Sequence, residues 1–226
     1  MKLHIFFLHT IRGVEDLFNS LSRELIHGDF DTSHIVDESL IRRILARGGL
    51  EKDTRRRFCE NVIAAEEAGA DIIQVSCSTV TPAVALAGQF VDIPVLSADE
   101  AMVQSAVEGY KKIGVIATNP ATLAPSTELV RTVARREGRD VEVDPVLCEG
   151  SYEALLWGDK EKHDNIVLDH LRRLMERVEV VVLAQASMTR IADILGGDFP
   201  VLSSPRPAVE ELARRVEVLR NSGGTK

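Results

Sequence analysis

Short apolar runs rich in β-branched residues alternate along the chain with longer segments in which apolar residues return every three or four positions. The first pattern is that of strands buried on both faces and the second that of helices laid against them. The order therefore predicts a parallel sheet covered by helices. Strands are predicted at Leu3–Leu8, Thr32–Val36, Asp71–Val75, Pro94–Leu96, Lys112–Ala117, Glu142–Leu147, Val180–Ala184 and Pro200–Leu202. Helices are predicted at Val14–Leu25, Glu38–Arg47, Lys52–Glu67, Asp99–Gly109, Ala121–Glu137, Glu161–Val178 and Ala208–Asn221, with Gly69 and Gly109 as stop signals. The tail from Asn221, NSGGTK, has no apolar residue to anchor it and is expected to fray.

The pattern also repeats. The segment DIIQVSCSTVTP, Asp71 to Pro82, returns 108 positions later as EVVVLAQASMTR, Glu179 to Arg190. On that offset Val75 faces Leu183, Thr79 faces Ser187, Thr81 faces Thr189 and Gly88 faces Gly196, and Ile5 to Thr10 pair with Ile113 to Thr118. Two residues then drop out, and Pro94-Val95-Leu96-Ser97 returns as Pro200-Val201-Leu202-Ser203. A duplication explains this register better than the common Val, Ile and Leu content of buried strands does. The helix after Pro94–Leu96 leads into the second half, whereas its counterpart Ala208–Asn221 ends the chain and is expected to pack back on the first. The predicted fold is α/β with two pseudo-symmetric lobes, each a four-stranded, mainly parallel sheet flanked by helices. Residues 1–96 with 205–226 form the lobe that carries Cys77, residues 97–204 form the lobe that carries Gln185, and a ligand cleft is expected between them.

Composition narrows the function. With 226 residues and 45% hydrophobic content the chain can bury a core without disulfides. Twenty-seven basic against 35 acidic residues give a net charge of -8, which argues against a nucleic-acid partner. The Leu3–Leu8 run is too short for a signal-peptide core and no stretch approaches a membrane span, so a cytoplasmic protein without a membrane partner is expected. Three cysteines, Cys59, Cys77 and Cys148, are scattered and odd in number, suggesting neither a disulfide framework nor a zinc site. The chain has no G-x-G-x-x-G after the first strand, no G-x-x-x-x-G-K-[ST], no H-E-x-x-H and no G-x-S-x-G. No cofactor and no metal are expected.

Candidate chemistry lies where the strands end. In open parallel sheets ligands sit beyond the carboxyl ends of the strands. Four such ends are small and polar: His9-Thr10, Ser76-Cys77-Ser78-Thr79, Thr118-Asn119 with Thr122, and Gln185-Ala186-Ser187. Their hydroxyls and backbone amides suit a small carboxylate, although Ser, Thr and Asn at such positions also cap the helices that follow. A free cysteine at the end of an apolar strand is commonly a small buried hydrophobe, but Cys77 lies past its apolar run and between hydroxyl residues, and a helix starting beyond Ser78 would favour its thiolate, features that suit a base or nucleophile. Cys59 sits mid-helix as packing, and Cys148, at a strand end, is a lesser candidate. The segment from Cys148 to Asp164, with Tyr152 and Trp157, is the expected lid and source of specificity.

In sum of these motifs the chain resembles the aspartate/glutamate racemase superfamily, the group with hydantoin racemase, maleate isomerase and arylmalonate decarboxylase. The Cys77-Ser78-Thr79 loop resembles its first cysteine motif, Ile113 to Thr122 its second-half strand and carboxylate-binding turn, and Leu183 to Met188 its second cysteine motif with Gln185 in place of cysteine. Leu8 to Arg12 departs from the Asn- or Ser-containing pattern of the first loop. The resemblance implies PLP-independent racemisation or isomerisation of a small carboxylate, in relatives that commonly form homo-oligomers, by two thiols on opposite faces of an α-carbon. Because Gln185 carries no titratable proton, another group, with His9 as one candidate, has to complete an inversion. A single-thiol decarboxylase, a cis-trans isomerase and a non-catalytic carboxylate-binding protein are the alternatives.

Overall fold

The computed structural model describes residues 2–197 and 199–222. In chain order the elements are β1 (Leu3–His9), α1 (Glu15–Leu25), β2 (Phe30–Val36), α2 (Glu38–Arg47), α3 (Lys52–Glu67), β3 (Ile72–Val75), α4 (Thr81–Ala87), β4 (Val95–Leu96), α5 (Glu100–Gly109), β5 (Lys112–Ala117), α6 (Pro120–Arg136), β6 (Glu142–Leu147), α7 (Ser151–Leu156), α8 (Lys160–Met175), β7 (Val180–Leu183), α9 (Thr189–Leu195), β8 (Val201–Ser203) and α10 (Pro205–Ser222). The chain divides into two compact units, one running to Ala98 and resuming at Pro205, the other spanning Asp99 to Ser204.

In the first unit the sheet order is β2-β1-β3-β4, all parallel. Leu3, Ile5 and Phe7 of β1, Phe18 and Leu21 of α1, and Val209, Leu212 and Val216 of α10 share one buried cluster, so α10 belongs to this core. Arg57 and Asn61 of α3 reach Asp37 at 2.8 and 2.9 Å, and Asp37 in turn accepts from the Leu40 N–H and so caps α2 at its N-terminus. In the second unit the order is β6-β5-β7-β8, again all parallel. Its core has two parts. Val103, Val107, Val115, Val130 and Val182 pack in one, and Ile116, Leu171, Leu174, Val181 and Met188 in the other. Gly114 of β5 lies under α8, where a Cβ would come within 2.7 Å of Leu174 Cδ2 and 2.9 Å of its Cγ. The missing side chain is what lets the helix sit down on the sheet.

The sequence repeat is a repeat of backbone register. Ile5 pairs with Ile72 in the first sheet and Ile113 with Val180 in the second, each 108 positions on. Ser76 N–H donates to Leu8 O at 3.0 Å, and Ala184 N–H donates to Ile116 O at 3.0 Å. Even the strand starts match: Asp71 accepts the His4 N–H at 2.7 Å and Glu179 accepts the Lys112 N–H at 3.0 Å.

Element ends differ from the sequence reading by a few residues, with β3 and β7 starting or stopping one residue short and α10 beginning at Pro205 rather than Ala208. Three helices escape it altogether. The six or seven residues of α4, α7 and α9 are too few to display a periodicity, and short helices draw their stability from packing rather than from propensity. Asn221 and Ser222 continue α10, while residues 223–226 of the tail lie outside the described residues.

Gly114→Ala is expected to lower unfolding stability by about 1–3 kcal/mol, because Leu174 must leave its position. Denaturant unfolding measures it. Burial pushes the Asp37 carboxyl up, but hydrogen bonds from Ser39, Asn61 and Arg57 outweigh it and leave the carboxyl far below its ordinary range. Its folded pKa is thus depressed, so the stability it contributes is complete above the ordinary aspartate pKa of about 4 and is lost as pH falls below it. Asp37→Ala should cost about 1–3 kcal/mol at pH 7 and progressively less in acid.

Candidate functional site

At the carboxyl edge of the first sheet, β1 delivers His9 and Thr10 and its neighbour β3 delivers Ser76 and Cys77. A short 3₁₀ turn, Ser78–Val80, follows and leads directly into α4, with Pro82 at its first turn. Strand pairing explains the proximity: with Leu8 beside Val75, the next residues of the two strands lie side by side. Cys77 is partly exposed, whereas Ser78, Thr79 and Thr10 are buried.

Burial is the largest influence on the Cys77 thiol and pushes its pKa above the ordinary value. The Thr10 hydroxyl, the Thr79 backbone N–H and hydroxyl, and the Val80 N–H act in the opposite direction as donors to the sulfur, but do not cancel it. The expectation that a helix field holds Cys77 as a thiolate is therefore reversed in sign. The following helix α4 has seven residues, and its field is small against the loss of solvent. The donors matter differently. They do not set the thiol's resting charge, but they converge on the sulfur and would stabilise negative charge once it forms.

His9 is buried. Its Nδ1 lies 2.6 Å from Ser76 Oγ and its Nε2 lies 2.9 Å from His34 Nδ1, while His34 Nε2 lies 3.1 Å from Asn19 Oδ1. Burial first, then the neighbouring His34, push the His9 pKa down to about 4. The ring is neutral near pH 7 with both nitrogens engaged inside its own unit, which disfavours the roles of substrate ligand and second acid expected for it. It ties β1 to β2 and β3. His34, which the sequence reading passed over, has no local signal, because only the pairing of β1 with β2 brings it to His9.

The second sheet repeats the edge with different chemistry. Here β5 delivers Thr118 and Asn119, and β7 leads to Gln185, followed by the 3₁₀ turn Ala186–Met188 and α9. Thr118 N–H and Thr118 Oγ1–H both donate to Gln185 Oε1, at 2.7 and 2.8 Å. Asn119 caps α6: its Oδ1 accepts from Thr122 N–H at 2.9 Å and from Thr122 Oγ1–H at 3.0 Å. The capping alternative thus describes Asn119 and Thr122. Thr118 serves Gln185 and caps nothing. Arg190 holds this loop from behind, with Nη1–H donating to Ser187 O at 2.6 Å and Nε–H to Asp164 Oδ2 of α8 at 3.0 Å. Pro82 stands at the matching position of the first half, so proline stiffens one loop and an arginine tether the other.

The other two cysteines are packing. Cys59 is buried on α3, and Cys148 is fully buried beside Ile116, Val167 and Met188, with burial pushing its pKa up to about 12. Cys148 follows β6 beside the end of β5, its N–H donating to Ala117 O at 2.8 Å, with its side chain inside this core. The expected lid is helical: α7 and the start of α8 occupy it, with Ser151, Ala154 and His163 buried and Trp157 87% exposed.

Comparison with known proteins comes down on one side. The family model described as Asp/Glu/Hydantoin racemase matches residues 16–212. Among proteins of curated function none matches. Solved structures with the same fold include a glutamate racemase from Bacillus anthracis, at 19% identity and a TM-score of 0.74, covering 96% of this chain and 82% of that one. An allantoin racemase from Klebsiella pneumoniae is similar at 14% identity and 0.66, covering 96% and 89%. An aspartate racemase from Picrophilus torridus follows at 15% and 0.66, covering 94% of each. Among the described residues no helix is long and apolar enough to cross a membrane, and no three His, Cys, Asp or Glu side chains group as a metal site.

Because the thiol is the conjugate acid of the thiolate and burial raises its pKa, thiolate should form at higher pH than in a free cysteine. Absorbance near 240 nm, recorded for the wild type minus Cys77→Ser, should show a midpoint above that of a free cysteine. A midpoint well below about 8.5 would contradict this balance of burial and donors.

Proposed function

The chain belongs to the Asp/Glu/hydantoin racemase family, and from that premise we propose that it is a cofactor-independent racemase or isomerase that works on a small carboxylate through the thiolate of Cys77. The observation that carries the reading is the convergence of donors on that sulfur. Thr10, Thr79 and Val80 all address it, which a cysteine serving as packing does not need, whereas Cys59 has its own backbone N–H and burial alone acts on Cys148. Abstraction of an α-proton needs a base within reach and donors for the charge that appears on the substrate. Cys77 supplies the first. The turn that begins at Ser78, on the same edge as Cys77, is assigned the second, and a PLP cofactor has no place in the scheme. Thr10 acts through the sulfur and not on the substrate. The lobes of the proposal are residues 1–96 with 205–226, which carry Cys77, and residues 97–204, which carry Gln185.

The raised thiol pKa is compatible with this role and shapes it. A base of high pKa is scarce as thiolate at neutral pH but strong when formed, which suits the removal of a weakly acidic α-proton. The family's substrates guide the choice of assay: the structural relatives are named for glutamate, aspartate and allantoin.

Both enantiomers of each of those three compounds should be tested by polarimetry and chiral chromatography. Turnover of whichever compound is accepted should fall about 10³-fold or more in kcat for Cys77→Ala. A Cys77→Ala variant with undiminished turnover overturns the reading. Activity should also climb with pH between 7 and 9, in step with the thiolate.

A further inference from the structure

Asn19, His34, His9 and Ser76, all in the first unit, are bonded in series, and their donor and acceptor roles follow from one end. The Asn19 Oδ1 of α1 can only accept, so His34 Nε2, at 3.1 Å, carries a hydrogen. A neutral His34 then has a bare Nδ1, which accepts from His9 Nε2–H at 2.9 Å. His9 in turn has a bare Nδ1 for the Ser76 hydroxyl at 2.6 Å. The competing acceptor for that hydroxyl, Leu8 O, lies farther off at 3.2 Å and already takes the Ser76 N–H at 3.0 Å. Thr32 fixes the start of the series, its hydroxyl donating to the same Asn19 oxygen at 3.0 Å. Both imidazoles stack on Phe7, and burial pushes both toward the neutral form.

The series ends beside the thiol. His9 precedes Thr10 and Ser76 precedes Cys77. The His9–Ser76 bond therefore joins the two strands one residue before the point where the Thr10 hydroxyl donates to the Cys77 sulfur. The second unit supplies the comparison. In the repeat register Ala117 stands for His9 and Ala184 for Ser76, and Pro145, beside Val115 as His34 is beside Phe7, stands for His34. None of these three has a side chain that can hydrogen bond. The residue next in line there is Gln185, which Thr118 reaches through its own N–H and hydroxyl. The polar series thus accompanies the cysteine and not the fold, since the second sheet keeps its four parallel strands without it.

We propose that His34 is a positioning residue for Cys77: by fixing the tautomer of His9 it fixes Ser76, and so keeps the Thr10 hydroxyl on the sulfur, where it favours the thiolate. The inference rests on Cys77 being the base. Every hydrogen of the series is committed to the next acceptor, which suits a brace. Without the His34 acceptor, His9 Nε2–H is buried with no partner, a costly state. The imidazole then has to tilt or change tautomer, and either change alters its bond to Ser76.

The experiment is the rate of Cys77 alkylation by iodoacetamide at pH 8, read on the Cys77 peptide by mass spectrometry. Because the thiolate is the reacting form, the rate follows how well donors serve the sulfur. Thr10→Val deletes the donor itself and sets the scale, with an expected fall of about three- to tenfold. His34→Leu should reproduce that fall, and its Cys77 titration at 240 nm should move upward from that of the wild type. His34→Asn, whose amide oxygen can stand where Nδ1 stood and accept the same hydrogen, should label within about twofold of the wild type. Ser76→Ala breaks the last link at the loss of one oxygen and should match His34→Leu, which keeps the proposal testable if the leucine variant folds poorly. With an accepted substrate the loss should fall on kcat, KM staying within about twofold. Labelling of Thr10→Val, His34→Leu or Ser76→Ala at or above the wild-type rate, or of His34→Asn as slowly as His34→Leu, overturns the proposal. Undiminished turnover in Cys77→Ala overturns the reading beneath it instead, and leaves the labelling rates to decide the role of His34. Thermal unfolding of each variant, expected within a few degrees of the wild type, separates a displaced donor from a lost fold.

Discussion

The structure turns on the parallel pairing of the first and third strands within each unit. Ile5 beside Ile72, and Ile113 beside Val180, fix which residues emerge together at the carboxyl edge. Because that register is the same in both, a threonine ends up next to the second residue after the third strand each time: Thr10 at Cys77 and Thr118 at Gln185. A slip of one residue in either pair would turn the loop side chains to the opposite face. The close seating of α8 over Gly114 and the tie of His9 to Ser76 and His34 hold the strands so that this does not happen.

Two opposed effects meet at Cys77. Withdrawal from water favours the neutral thiol, and four donors favour the thiolate; burial prevails. The same arrangement therefore gives a resting acid and a strong base, with a barrier between them that donors lower. His9, one residue before Thr10, answers a different need. Stacked on Phe7, tilted against Phe18 and bonded at both nitrogens, it holds strands together as an uncharged group.

The fold was largely legible in the sequence because parallel strands buried on both faces announce themselves as Val- and Ile-rich runs, and long helices by their period. The repeat was legible for the same reason, and with it the exchange of Cys77 for Gln185. What escaped had no local pattern. Helices α4, α7 and α9 are too short, His34 reaches His9 only across a strand pair, and Arg190 reaches Ser187 O only after α9 has turned back on its loop. The sign of the Cys77 shift escaped as well, since sequence displays the donors flanking a cysteine but not the solvent it loses. Nor does sequence distinguish an Asn119 that caps α6 from one that waits for a ligand.

The central claim is that one sulfur, at the edge of the first sheet, carries the reactivity of this chain. It is tested most directly by limited labelling with iodoacetamide at pH 9, with the modified peptides identified by mass spectrometry. Cys77 should be alkylated well before Cys59 and Cys148, and an accepted substrate in excess should slow Cys77 alone. Labelling that reaches Cys59 first, or that substrate leaves unaltered at Cys77, would contradict the account.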